Sequence, residues 1–158
     1  MMPITHDAGM AFDAAVLYRL GQRFGVQTWP VVLDLENVAA ESGSGTDSAA
    51  AQVDADSAIA ALELVEHGEP TAWVATVLRV LAQPRREIEV RSYTDGAVRR
   101  MCLARNGHDH VLVIRTGRRV DVTVVDVADV EALAAVVRAQ FDVSESAAGP
   151  ADFTSFSA

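Results

Sequence analysis

Lysine is absent from this chain, and cysteine occurs once, at position 102. A single thiol excludes an internal disulfide, and nothing at the N-terminus joins a basic segment to a long apolar run, so a reducing cytoplasm is the expected compartment. Long apolar runs are missing as well. Stretches such as WVATVLRVLA contain an Arg and fall short of the roughly 20 residues a membrane-spanning helix needs, so no membrane insertion is expected. Aromatic residues make up 6% of the chain. Only Tyr93 falls within what reads as the sheet, which argues against an RNA-stacking platform. There is no Gly-rich phosphate loop, no serine elbow and no carboxylate pair that stands above the many surface acids.

What is present suffices for a core. At 158 residues and 50% apolar content, the chain fits one domain that folds without disulfides or metal. The net charge is −9 and every base is Arg. The lack of Lys beside abundant Ala, Val and Gly looks like a high-GC coding bias, so the Arg preference needs no functional cause. Its distribution says more. Between Arg79 and Arg119 lie ten Arg and four acids, a local +6, which leaves −15 for the remainder. An acidic surround opposes non-specific binding to nucleic acid, where phosphate neutralisation is the main driving term. The Arg-rich stretch then has two readings: a surface for an acidic protein partner, or a solvated face offset by acidic helices of the same chain.

That basic stretch is also the most patterned. REIEVRSY, GAVRRMCLARN, HVLVIRTG and RRVDVTVVD read as four short strands, joined at Asp95-Gly96, Asn106-Gly107 and Thr116-Gly117 by residues that tolerate positive φ. Ile88 and Val90 alternate with charged residues, whereas Val111 to Ile114 are apolar on both faces. Helical spacing appears from Phe12 to Phe24, from Asp54 to His67 with Gly68 as its stop, and after Pro70, with Trp73, Val77, Val80 and Leu81 on one face and Pro84 as a stop. A last helix begins near Asp126 and Asp129, with Val130, Leu133, Ala134, Val137 and Phe141 as its stripe. TWPVVLDLE reads as extended, because Pro30 restrains Trp29 and Val31, Leu33 and Leu35 alternate. Residues 39–52 contain no large apolar side chain and are expected to form a mobile loop. The expected class is α+β, a four-stranded antiparallel meander with helices packed on one face. Residues 1–143 would form a single domain and 144–158 a tail or linker, with Phe153 and Phe156 docking on a groove.

Two constellations invite chemistry. His108 and His110, two apart on a strand, would share a face and reach one ion, but no further ligands with zinc-like spacing accompany them. The bland alternative is a polar turn. Cys102 and one of these His would form a nucleophile and base if adjacent strands brought them together. Its apolar neighbours Met101 and Leu103 point instead to a buried, inert thiol.

The order of elements carries a family resemblance. An early helix followed by GVQTWPVVLDL, then LELVEHGEPTAWVATVLRVLAQPRREIEV, then the meander through VDVADVEALAAVV, resembles the N-terminal half of EspG proteins over residues 12–143. These are cytosolic, non-enzymatic chaperones of mycobacterial type VII secretion. The resemblance implies one half of the EspG fold, no catalysis, no cofactor and no metal. It implies a PE-PPE heterodimer as partner, bound through the exposed apolar tip of its PPE subunit. Carried onto this sequence, the contacts fall at Tyr93, Thr94, Asp95, Gly96, Ala97, Val98 and Arg100. An ordinary hairpin tip is the alternative for these positions. Because EspG proteins are about twice this length, the expected chain is either a fragment or a half-length relative. A sheet apolar on both faces with a free edge then calls for a homodimer or for association with the missing half. A self-associating structural or regulatory domain without PE-PPE binding is the competing function.

Overall fold

The computed structural model describes residues 9–41, 46–125 and 130–145. Its elements run β1 (Gly9–Asp13), α1 (Ala14–Arg23), a 3-10 turn (Val31–Leu33), α2 (Leu35–Glu41), α3 (Thr46–Ala61), β2 (Val65–Glu66), β3 (Glu69–Pro70), α4 (Ala72–Ala82), β4 (Arg86–Thr94), β5 (Ala97–Asn106), β6 (Asp109–Thr116), β7 (Arg119–Val125) and α5 (Val130–Glu145). The chain divides into two units, Met1–Asp126 and Val127–Ala158. That division falls inside the span read as one domain. The first unit carries the sheet and the helices up to α4, and the second carries α5.

The meander follows from its turns. Thr94 pairs with Ala97, Asn106 with Asp109 and Thr116 with Arg119, so each loop has two residues. Asp95 and Gly96 both have positive φ, 50° and 77°, as a type I′ turn requires. In the other two loops, Gly107-His108 and Gly117-Arg118, only the glycine has positive φ, the pattern of a II′ turn. Those two loops therefore lie one residue later than the sequence reading placed them.

Among the described residues the sheet has five antiparallel strands in the order β1-β7-β6-β5-β4. The fourfold expectation missed β1, which pairs with β7 from Gly9↔Thr123 to Asp13↔Arg119. No turn separates β1 from α1, so no punctuation marks it. Asp13 closes the strand and caps the helix, its carboxylate accepting from Ala15 N at 2.8 Å, which satisfies one of the unpaired amides of the first turn. The first helix consequently starts at Ala14 rather than Phe12.

One face of the sheet builds the main core. Cys102, Ala104, Val111, Val113, Val120 and Val122 pack with Phe12, with Val16, Leu17 and Leu20 of α1, and with Val74, Val77 and Val80 of α4. Trp73 meets Phe12 edge-on, with ring centroids 6.4 Å apart, a geometry aromatic quadrupoles favour. On the opposite face Met101, Leu103, Leu112 and Val125 are also buried and stand outside that core. The central strands are thus apolar on both sides.

Three segments depart from expectation. Residues 30–41 are helical rather than extended: the 3-10 turn leads through Asp34, in left-handed conformation, into α2, and this buries Val32, Leu33, Leu35 and Val38. Of the expected loop over 39–52, residues 39–41 end α2 and 46–52 begin α3, whose Ala-rich sequence has high helix propensity, and 42–45 lie outside the described residues. The helix read over 54–67 ends at Ala61, because Val65–Pro70 forms a small hairpin around His67-Gly68. Pro70 lies in β3 and Thr71 caps α4. Asp126, Asp129, Phe153 and Phe156 lie outside the described residues.

Candidate functional site

The β4–β5 hairpin projects the expected contact residues from the sheet's edge. Tyr93 pairs across it with Val98 and Thr94 with Ala97. Tyr93 is 70% exposed, Thr94, Asp95, Gly96 and Ala97 are exposed and Val98 is half-buried. Six of the seven positions therefore form one contiguous tip.

Arg100 behaves differently. Its Nη1 donates to the Val32 carbonyl at 3.1 Å and its guanidinium stands 3.7 Å from the Asp34 carboxylate. Beside it, Arg115 donates to the carbonyls of Leu33 and Asp34 at 2.5 and 2.8 Å. From β4, the Glu89 carboxylate accepts from Val32 N at 3.3 Å. Carbonyls at the end of a helical turn lack intrahelical partners and carry partial negative charge, so guanidinium groups are their natural partners. The sheet holds the 3-10 turn by its backbone, and Val31 is left 82% exposed beside β4 and β5. Sequence reasoning missed Val31 because it took that segment as extended, with Val31, Leu33 and Leu35 alternating on one face. The only hint was Pro30 before two consecutive Val.

Much of the basic stretch is answered within the chain. Arg79 pairs with Asp109, Arg118 with Asp13 and Arg119 with Asp121. These Arg, and Arg100 with Asp34, are offset within the chain, but by acids on strands and caps rather than by the acidic helices expected. Arg85, Arg86 and Arg91 make no ion pair among the described residues and remain available to a partner.

The chemical constellations do not assemble. Cys102 faces the helix-side core, paired with Val113, whereas His110 pairs with Arg105 and points to the opposite face. Burial, reinforced by Glu87 and Glu89, pushes the Cys102 thiol up to about 12, so the nucleophilic thiolate is scarce at neutral pH. Glu87 is itself raised, mainly by desolvation and then by Glu89. His108 lies in the Gly107-His108 turn and not on the strand, and its carbonyl contacts His110 Nδ1 at 3.3 Å. The shared face implied by the two-residue spacing does not form. Among the described residues, no group of three or more His, Cys, Asp or Glu is placed to hold a metal, and no helix is long and apolar enough to cross a membrane.

The sequence model of the EspG family matches residues 13–158. The chain belongs to the EspG family. Among solved structures it is similar to the one described as the Mycobacterium tuberculosis type VII secretion system chaperone EspG5 in complex with PE25-PPE41 dimer. That likeness has a TM-score of 0.62 at 16% identity and covers 87% of this chain and 52% of the matched one. At that identity it establishes the shared fold, and this EspG-family chain spans about half the length of the chain it matches. Among curated proteins nothing matches.

Proposed function

We propose that this EspG-family chain is a non-enzymatic chaperone of PE-PPE dimers for type VII secretion, acting in the cytoplasm through the PPE subunit. Membership of the EspG family over residues 13–158 carries the reading. The matched fold, described as a chaperone in complex with a PE25-PPE41 dimer, supports it. The contact surface in this reading is the β4–β5 tip, Tyr93, Thr94, Asp95, Gly96, Ala97 and Val98, with Arg100 holding the 3-10 turn from beneath. Exposed Tyr93 and Val31 supply apolar area suited to an apolar partner tip. Such a surface needs neither cofactor nor metal.

The test is co-expression with a panel of PE-PPE pairs followed by size exclusion. At least one pair should co-elute with the chain, and a folded chain that shifts none would overturn the reading. Association between copies of the chain belongs to the same reading, because the sheet ends on the largely exposed strand β4.

A further inference from the structure

We propose that two copies of this chain join edge to edge through β4, in an antiparallel pair centred on Val90, so that one sheet runs across a two-fold axis. Among the described residues, β4 is an outer strand of the sheet. It is paired one-to-one with β5 over all nine residues, without a bulge. It contains no Pro, so two devices that blunt an exposed edge, a bulge and a proline, are missing, and its charges Arg86, Glu87, Glu89 and Arg91 are of both signs, in an order that self-pairing can match. The opposite edge, β1, has only five residues.

The turn fixes which backbone groups face outward. Thr94 and Ala97 flank a two-residue loop and exchange hydrogen bonds with each other. By alternation, Ser92, Val90, Ile88 and Arg86 also bond to β5, and Glu87, Glu89, Arg91 and Tyr93 present their amides and carbonyls outward. A second strand is the simplest structure that pairs all of them.

Charge selects the occupant and the register. Centred on Val90, antiparallel self-pairing places Glu89 opposite Arg91 twice, Glu87 opposite Tyr93, Ile88 opposite Ser92, and the two Val90 side chains together in a close, non-hydrogen-bonded pair. Opposite charges across strands stabilise and like charges oppose pairing. Moving the centre one residue either way sets Glu89 against Glu89 or Arg91 against Arg91. Arg91 is exposed and has no ion pair among the described residues, so its charge is free for the second copy. About four such backbone-bonded pairs form in this register.

The inference rests only on the self-association part of the proposed function. Light scattering at micromolar concentration should give twice the monomer mass. Val90→Cys should oxidise to a linked dimer, because facing cross-strand positions approach disulfide distances, and native Cys102 is buried and does not compete. Ile88→Cys alone should not link, whereas Ile88→Cys with Ser92→Cys should. Arg91→Pro removes an outward amide without touching the β5 ladder and should give a folded monomer by circular dichroism. A dimer that fails to link at position 90, or that survives Arg91→Pro, overturns the edge and leaves self-association standing. A monomeric wild type overturns both, and neither result bears on co-elution with PE-PPE.

Discussion

Gly21 is fixed by a neighbour rather than by its backbone. It lies on the buried side of α1, and a Cβ there would fall 2.1 Å from Trp29 Cζ2. Gly21→Ala must displace an indole packed against the core, at a cost of about 1–3 kcal/mol. The expected readout is a lower urea midpoint with red-shifted Trp29 emission in a Trp73→Phe background. The Cys102 thiol, raised to about 12 by burial, should react with a thiol reagent only as fast as the fold opens, and rapid native labelling would revive an enzymatic role. The Arg19 hydrogen bond lowers the Asp56 pKa. A lowered carboxylate stabilises the fold above its unfolded value, near 3.9, and loses that contribution as pH falls through the folded value. The pair is partly exposed, with Asp56 at 41%, so its contribution stays below about 1 kcal/mol. Asp56→Asn should lower the melting temperature slightly at pH 7, and the difference should shrink as pH falls through the folded value.

Elements were legible where local chemistry dominates. Asp95-Gly96 announced its hairpin because both φ values must be positive, and Gly107 and Gly117 announced theirs to within a residue. The apolar stripes of α1 and α4 were equally plain. Elements set by partners were not: β1 exists because β7 offers it an edge, and the turn at 31–33 exists because Arg100, Arg115 and Glu89 accept and donate to its backbone. Alternation of Val31, Leu33 and Leu35 mimics a strand, and no local signal reports those distant groups. The Ala-rich start of α3 was read by what it fails to bury, although Ala needs little burial to stay helical. The tip of the candidate site was visible as a turn, but the internal role of Arg100 was not. Arg115→Ala should strip two carbonyls of a charged donor and cost about 1–3 kcal/mol. Chemical denaturation checks the loss, and faster amide exchange at residues 31–34 would localise it.

At the scale of the molecule, Arg79, Arg100, Arg118 and Arg119 are each answered by an acid on a strand or cap, Asp109, Asp34, Asp13 and Asp121. What remains exposed on β4 and its hairpin is a mixed surface, Ile88 and Tyr93 among Arg86, Glu87, Glu89, Arg91 and Asp95. Replacing the tip by Tyr93→Ala with Val98→Asp should leave the fold intact and weaken PE-PPE binding at least tenfold, because exposed aromatic anchors carry a large share of interface energy. Binding itself tests the central claim most directly. Calorimetric titration of the purified chain into purified PE-PPE dimers should show saturable binding for at least one pair, lost in the tip variant. A folded chain that releases no heat and forms no complex with any pair would contradict the account.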